Sequence, residues 1–425
     1  MLRNYLKIAV AVLLRRKFLT FVNLFGAVLT LSVLVVAFAM YQSVVSPGGA
    51  QHDQRRILSI FNAGIERAGG GALVGGPGYR LYEDYIAPLE TPDKISFTLR
   101  PVETVAYLDG RKITSQLRRT DAAYWDLLDF ELTEGRWLEA DDVDQGRFVA
   151  VINEATAGTW FPGESAVGQT VVANNESYEV VGVVGNEPAT SLLAYADIWV
   201  PLTTNQTYRT EWISGSQVML YVEDPSRRGA VKEELQQALA DFVYTDDPGA
   251  AQRAVAAAWT PLEFLANTAL PSGGAFGDFE TALARHVEDR VPEFLAALAA
   301  IGLLFMSLPA INMTNLNIGR ILERAPEIGL RKSAGASRRV LAGQFVFENI
   351  VLSALGGLIA LALAPLLFGL LNDTLFTYGR LGLDWTVFAA AFAFVLLFGV
   401  LSGAYPAWKM AKLEPAVALR GTQHV

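Results

Sequence analysis

The residues that could do chemistry in this chain are few and far apart. The 425 residues include three histidines, His52, His286 and His424, and no cysteine. A histidine-based metal site is not predicted, because no histidine has a second one three or four positions away. Without cysteine there is no disulfide, thiolate metal site or cysteine nucleophile. Neither a G-x-S-x-G elbow nor a G-x-x-x-x-G-K-[ST] loop occurs, so neither a serine hydrolase nor P-loop ATP binding is predicted.

Three acidic residues lie close together at Asp141, Asp142 and Asp144. Carboxylates in such a cluster could bind a cation, but the pattern is more typical of a solvated turn, which is the prediction. The strongest candidates for function are therefore the residues of a charged connector.

The connector, residues 316–344, lies between two apolar runs and contains the sequence PEIGLRKSAGASRR, which starts at Pro326. Pro326 and Gly335 bound a short predicted helix in which Ile328 and Leu330 are interleaved with charged residues. This pattern indicates a docking surface on the cytoplasmic side. The alternative is that the basic side chains only anchor the segment to anionic lipid.

Four apolar runs are long enough to cross a bilayer, which takes about 20 residues. The runs are 18–45, 291–315, 345–371 and 385–408. Lys and Arg are concentrated at the N-terminus, in the connector and in the C-terminal tail, whereas the short loop 372–384 has only Arg380. Since positive charge stays in the cytoplasm, both termini and the connector are predicted to be cytoplasmic, and the loop 372–384 periplasmic.

The N-terminal segment, residues 1–17, carries five basic residues. Its apolar positions recur at helical spacing, which predicts an amphipathic helix on the cytoplasmic surface. The first span is interpreted as an uncleaved anchor, because its apolar run is too long for a signal peptide and no A-x-A site follows it. Residues 409–425 form the predicted cytoplasmic tail.

The large segment 46–290 is predicted to be exported. It contains 36 Asp and Glu against 19 Lys and Arg, and nothing in this acidic balance could neutralise the phosphates of a nucleic acid. Strand–helix–strand patterns in 46–100 and 216–277 indicate one α+β lobe. A strand-rich insertion at 101–215 indicates a second lobe, and 278–290 is a predicted stalk helix. The predicted fold class is an α-helical membrane protein with four transmembrane helices and an α+β periplasmic domain of two lobes.

Glycine-containing stretches give local predictions. Asp109-Gly110 between two alternating runs predicts a β-hairpin, whereas the glycine-rich stretch Gly69–Gly78 predicts a flexible connection. Small residues in the third and fourth spans predict close helix packing; they are Gly356, Gly357, Gly399 and Gly403. The spans contain few ionisable residues, with Glu348 at the edge of the third, which disfavours a channel or an ion-coupled transporter.

Several motifs together point to a known family. The stretch EIGLRKSAGASR, from Glu327 to Arg338, is similar to the motif E-I-G-[IL]-R-[KR]-A-x-G-A-[ST]-x, which that family has in its own cytoplasmic connector. The stretches that match elsewhere are Asn4–Ala9, Val149–Leu202, Ser402–Trp408 and Leu413–Arg420. The chain has one predicted span before the large exported domain and three after it. In this arrangement and in these motifs, nearly the whole chain resembles the MacB/FtsX-type permeases of ABC transporters. The chain departs from the motif at Ser333, where a second Ala is common.

The resemblance implies a permease of the bacterial inner membrane that is moved by a separate cytoplasmic ABC ATPase dimer. The ATPase would bind ATP and magnesium, and the permease itself would need no cofactor. The residues implied in coupling are Glu327, Ile328, Gly329, Leu330, Arg331, Lys332, Gly335 and Ala336. Further implied partners are a second permease chain, membrane lipids and a periplasmic adaptor, with no nucleic acid.

The implied activity is efflux or extrusion of a periplasmic substrate, driven by conformational change in the exported domain. Three alternatives stay open at this point. The first is release of lipoproteins to a carrier, and the second is a transmembrane signal transmitter that regulates a periplasmic hydrolase. The third, a membrane-anchored periplasmic enzyme, is disfavoured because no catalytic constellation is present.

Overall fold

The computed structural model describes most of the chain between Lys17 and Lys412. The described residues are 17–45, 49–51, 55–67, 72–205, 207–243, 251–270, 290–304, 307, 311, 330, 333, 337–375, 377–378 and 382–412. Contacts divide the chain into two units. The helical unit is drawn from Met1–Tyr41, Ala296–Leu375 and Leu381–Val425, and the α+β unit from Gln42–Leu295 and Phe376–Arg380.

The described residues form α-helices and fourteen strands, besides short 3-10 turns. The helices are α1 (Lys17–Val45), α2 (Tyr79–Leu81, continued by a π-helical turn at Tyr82–Ile86), α3 (Tyr124–Leu127), α4 (Ala140–Asp144), α5 (Glu154–Trp160), α6 (Arg228–Ala240), α7 (Pro261–Ala269), α8 (Val291–Leu304), α9 (Arg338–Leu375) and α10 (Trp385–Lys412). The strands are β1 (Ile57–Ile60), β2 (Ala63–Arg67), β3 (Ala72–Pro77), β4 (Lys94–Leu99), β5 (Val102–Leu108), β6 (Arg111–Thr120), β7 (Leu132–Gly135), β8 (Val149–Asn153), β9 (Thr170–Ala173), β10 (Glu176–Val184), β11 (Ile198–Pro201), β12 (Ile213–Ser214), β13 (Ser216–Tyr221) and β14 (Ala251–Ala256).

Two helices are long and apolar enough to cross a membrane, over Thr20–Ser43 in α1 and Ala342–Asn372 in α9. Shorter apolar helices lie at Val291–Leu304 and Trp385–Leu401. The predicted second span, 291–315, continues past Leu304 into positions that are mostly outside the described residues. Four spans therefore stay a prediction, and the predicted stalk, 278–290, lies outside the described residues except for Arg290.

Glycines in α9 and α10 lie where atoms of other helices leave no room for a Cβ, which confirms their predicted packing role. The contacts join Gly356 to Ala27, Gly357 to Phe392, Gly399 to Ser353 and Gly403 to Asn349. A Cβ added at Gly356 would lie 2.9 Å from the Cβ of Ala27 in α1. That atom is fixed to the backbone, so a larger side chain could fit only if the helices moved apart.

Polar side chains line one part of α9 inside the helical unit. Gln344, Glu348, Asn349 and Ser353 are all buried, and Nε2 of Gln344 donates to Oε1 of Glu348 at 3.2 Å. The carboxylate predicted at the edge of the third span is therefore buried among protein groups. Pairing of this kind is what allows polar residues to be retained in an apolar helix.

The α+β unit is built on a ten-stranded mixed sheet. Its order is β1-β13-β4-β6-β11-β8-β10-β7, with β5 paired to β6 and β9 paired to β10. The pairs β6–β11 and β8–β10 are parallel, and the other pairs are antiparallel. Strands from 46–100, 101–215 and 216–277 all belong to this sheet, and Thr98 of β4 pairs with Thr120 of β6 where the segments meet.

A second sheet, of order β12-β3-β2-β14, lies in the same unit. Helix α6 contributes Val231, Leu235 and Leu239 to a core shared with this sheet and with β1, β4 and β13. These three positions recur at every fourth residue, which puts them on one face of the helix.

The structure settles two glycine predictions in opposite ways. The hairpin is confirmed, because Asp109 and Gly110 both have positive φ, 49° and 77°, between β5 and β6, as a type I′ turn requires. The flexible connection is wrong for Ala72–Pro77, which forms β3. Its glycines allow close backbone approach: a Cβ at Gly76 would meet the backbone of Ser216.

We predict that Gly356→Leu destabilises the helical unit by about 1–3 kcal/mol, because the new side chain must displace Ala27. Gly369→Leu is the matched control, since Gly369 lies in the same helix and its Cβ would meet nothing within 4 Å. The measurement is denaturant-induced unfolding of the full chain in detergent. Equal loss of stability in both variants would contradict the packing argument.

Candidate functional site

The predicted coupling residues fall almost entirely outside the described residues. Those outside are Glu327, Ile328, Gly329, Arg331, Lys332, Gly335 and Ala336. Leu330 is described; it is helical, and its side chain is 64% exposed. The Oγ of Ser333 donates to the carbonyl oxygen of Leu330 at 2.7 Å. The Oγ of Ser337 accepts from the Val340 amide at 3.4 Å, as a cap at the start of α9 would.

The acidic cluster is a structural ion pair at its centre. Asp141 and Asp144 are exposed, but Asp142 is fully buried. Its carboxylate accepts from Arg136 at 2.6 Å and from Arg147 at 3.3 Å. The prediction of a solvated turn is therefore wrong for Asp142, because the guanidinium groups of Arg136 and Arg147 take the place of water at its carboxylate.

Charge balance at Asp142 favours the ionised carboxylate. Burial alone would raise the pKa of Asp142, but the hydrogen bond and charge of Arg136, with help from Arg147, hold it below its usual range. Among the described residues no group of three or more His, Cys, Asp or Glu could hold a metal ion. The three histidines themselves lie outside the described residues.

Several buried polar groups of the α+β unit lie in the loop between β10 and β11, residues 185–197, here named the junction loop. Its buried residues include Glu187, Ser191, Leu193 and Ala194. A buried loop needs partners for its backbone carbonyls. Sequence reasoning did not single out this loop, because its partners come from distant strands and helices.

Two side chains supply partners for four successive carbonyl oxygens of the loop, those of Leu192–Tyr195. Arg118 of β6 is fully buried and donates through Nε to the Tyr195 carbonyl and through Nη2 to the Leu192 carbonyl, both at 3.2 Å. The hydroxyl of Tyr124 donates to the carbonyl oxygens of Leu193 at 2.9 Å and Ala194 at 3.3 Å. The guanidinium of Arg118 also lies over the Tyr124 ring. The junction loop is thus fixed by donors from strand β6 and helix α3.

The junction loop also binds the chain that follows α1. The amide of Ala50 donates to Oε1 of Glu187 at 2.9 Å, and the carbonyl oxygen of Ala50 accepts from the Asp129 amide at 2.9 Å. Gly49 has φ of 59° and lies against the Glu187 carboxylate, where a Cβ would come 2.6 Å from Oε2. Only glycine fits this left-handed position without strain. Gly49 and Ala50, which follow α1 closely in sequence, are therefore held in the core of this unit.

The sequence matches two family profiles that account for both units. Residues 20–238 match the MacB-like periplasmic core domain, and residues 299–415 match the FtsX-like permease C-terminal domain. The chain belongs to the MacB/FtsX-type family of ABC transporter permeases. The α+β unit is accordingly its periplasmic domain.

Relatives agree with this assignment. The chain is 29% identical over 413 residues to a protein of Azoarcus sp. (strain BH72) named macrolide export ATP-binding/permease protein MacB, covering 93% of this chain and 57% of that protein. It is 27% identical over 302 residues to the uncharacterized ABC transporter permease YknZ of Bacillus subtilis (strain 168), covering 70% of this chain and 68% of YknZ. The permease thus spans little more than half the length of the Azoarcus MacB protein.

Among solved structures, the periplasmic region of MacB from Actinobacillus actinomycetemcomitans is similar to this chain with a TM-score of 0.33 and 22% identity. The similarity covers 43% of this chain and 83% of that structure. The family assignment rests on the two profile matches.

Electrostatics at the junction differ from those at Asp142. Burial raises the pKa of Glu187 from 4.5 to about 7, and the hydrogen bond from the Ala50 amide offsets only part of that rise. Its Oε2 has no hydrogen-bond partner among the described residues. The folded state therefore favours the protonated acid. The stability that this acid contributes is complete below about pH 4.5 and is lost as pH rises through about 7.

We predict that Glu187→Gln stabilises the permease more at pH 8 than at pH 5, by a difference of about 1–3 kcal/mol. The amide keeps an acceptor for Ala50 and never ionises. The measurement is the thermal midpoint of the full chain at both pH values, relative to the unsubstituted protein. Glu103→Gln, at an exposed position of β5, is the control, and a pH-independent effect of Glu187→Gln would refute the assignment.

We predict that Tyr124→Phe destabilises the periplasmic domain by about 1–3 kcal/mol, because two buried carbonyl oxygens of the junction loop lose their donor. Tyr178→Phe is the matched control: Tyr178 is equally buried, but its hydroxyl has no hydrogen-bond partner among the described residues. It should therefore be nearly neutral. Unfolding by urea checks both variants, and equal effects would disprove the role given to the Tyr124 hydroxyl.

Proposed function

We propose that this permease is moved by a separate cytoplasmic ABC ATPase dimer that docks on the connector, residues 316–344. Two permease chains pair in the bacterial inner membrane, with both termini of each chain in the cytoplasm. Nucleotide-driven movement of the helices changes the conformation of the periplasmic domains and drives efflux of a periplasmic substrate. A periplasmic adaptor completes the export path.

The observation that carries the docking proposal is the exposure of Leu330. Leu330 is helical and its side chain is 64% exposed, so it presents an apolar anchor that is followed in the sequence by Arg331 and Lys332. Apolar anchors supply affinity at an interface, and complementary charge fixes the register of the two partners. Arg331 and Lys332 would pair with acidic groups of the ATPase, while Ile328 and Leu330 would fill its groove.

Two further findings favour a force-transmitting permease over a pore. The four predicted spans contain only two acidic or basic residues, Glu293 and Glu348, which is little for an ion pathway. The chain after α1 is locked at Ala50 into the periplasmic domain. A displacement of α1 would therefore be passed to a folded core.

The names of the relatives support a complex in which a permease works with an ATP-binding component. The MacB proteins are named as ATP-binding/permease proteins, and YknZ is named as a permease. The ATPase is proposed to be carried by a separate polypeptide.

We predict that the double substitution Arg331→Glu and Lys332→Glu reduces copurification of the ATPase at least tenfold, because like charges facing each other cost several kcal/mol. The matched control is Arg111→Glu with Lys112→Glu. This pair is also an adjacent Arg-Lys doublet, but it is exposed in the periplasmic hairpin. The measurement is the amount of ATPase retained by the tagged permease from detergent-solubilised membranes.

Retention of the ATPase by the connector variant at the unsubstituted level would refute docking through these residues. Such a result would favour lipid anchoring, in which case the variant should instead show altered binding to vesicles that contain anionic lipid. Loss of the ATPase from the hairpin control as well would indicate a general effect of charge.

A further inference from the structure

The segment between α9 and α10 belongs to the periplasmic domain by its contacts. Phe376–Arg380 is part of the α+β unit, although the helices on both sides belong to the helical unit. Two of its residues, Thr377 and Tyr378, are described. Both residues are hydrogen-bonded to residues of the junction loop.

Thr377 is bonded to the loop through its backbone and its side chain. Its carbonyl oxygen accepts from the Ala189 amide at 3.0 Å. Its side chain is hydrogen-bonded to the hydroxyl of Tyr195, at the other end of the same loop. The contact at Ala189 lies only two residues from Glu187, which holds Ala50.

Tyr378 reaches two buried polar side chains. Its phenol is hydrogen-bonded to the Asp197 carboxylate and to the Asn153 amide. Asp197 and Asn153 are 6% and 0% exposed, and they are bonded to each other at 3.1 Å. The second carboxylate oxygen of Asp197 accepts from the backbone amide of Gln116 at 2.6 Å. The phenol therefore completes a network that ties β6, β8 and the junction loop together.

The backbone and the phenol of Tyr378 both indicate a specific contact. Its φ of 58° is in the left-handed region, which an aromatic residue adopts only where surrounding contacts determine it. Its ring lies beside that of Tyr195, with centroids 6.5 Å apart. Burial and the negative charge of Asp197 raise the pKa of Tyr378. The phenol therefore stays a neutral donor across the physiological range.

We propose that Thr377 and Tyr378 form a clasp that fixes the connection between α9 and α10 to the junction loop. The loop then receives two attachments, Ala50 from the α1 side at Glu187 and Thr377 from the α9–α10 side at Ala189. Chain segments that continue into α1, α9 and α10 are thereby attached to one loop of the periplasmic domain. The clasp could transmit a movement of these helices, and this transmitting role rests on the proposed function for the source of the movement.

Hydrogen exchange on the full permease in lipid nanodiscs tests whether the clasp holds the loop. In Tyr378→Phe, amides of residues 186–197 should exchange roughly tenfold faster, because a hydrogen bond to a buried carboxylate is lost. Tyr378→Ala should have at least this effect. Tyr107→Phe is the control, since Tyr107 is 73% exposed near the hairpin tip. Unchanged exchange in both Tyr378 variants would overturn the clasp.

A second measurement separates the clasp from the proposed function. With the ATPase copurified, Tyr378→Phe should retain the ATPase fully but lose most of the nucleotide-dependent change in exchange of the periplasmic domain. A full nucleotide response in this variant would overturn the transmitting role. If even the unsubstituted permease retains no ATPase, the proposed function fails, and the exchange contrast in residues 186–197 still decides the clasp.

Because the chain has no cysteine, the contact can also be trapped. A short bifunctional maleimide should join Ala189→Cys to Thr377→Cys within one chain, detected as a cross-linked peptide by mass spectrometry. The pair Tyr107→Cys with Thr377→Cys should give no such peptide. Equal yields from the two pairs would contradict a specific clasp.

Discussion

Burial of a polar loop is the constraint on which the periplasmic domain depends. Much of the junction loop, between β10 and β11, is buried, so its buried carbonyl oxygens need donors other than water. Arg118 and Tyr124 provide four such bonds from neighbouring elements, to the carbonyl oxygens of Leu192–Tyr195. With the loop fixed, Glu187 and Ala189 can bind chain segments that lead towards the helices. The same interactions that stabilise the core therefore give it rigid attachment points.

Burial acts on two carboxylates of this domain with opposite results. Asp142 is fully buried but lies between two guanidinium groups, and its pKa is lowered. Glu187 is almost as buried, yet its bonded partner is a neutral backbone amide, and its pKa rises to about 7. Desolvation opposes charge in both cases, and the presence of a cation decides which form is favoured. Asp142 is suited to bracing the fold at any ordinary pH, whereas the Glu187 contact is sensitive to pH.

The helical unit is assembled by a different principle, since apolar side chains gain little by leaving lipid for protein. Its close contacts depend on small residues, as at Gly356 against Ala27 and Gly403 against Asn349. Buried polar groups on α9 pair within the protein, as Gln344 and Glu348 do.

The sequence by itself determined the features that depend on composition and on short-range pattern. Each of these features can be recognised from residues that are close together in the sequence. They are the apolar runs, the sorting of Lys and Arg, the connector from Glu327 to Ala336, the Asp109-Gly110 hairpin and the helix-packing glycines. The tertiary structure alone decided which residues of the periplasmic domain act together. Ala50 and Glu187 are 137 positions apart, and the glycine-rich stretch became β3 because distant backbone lies against it. Contacts of this kind arise from strand order, which no local periodicity specifies.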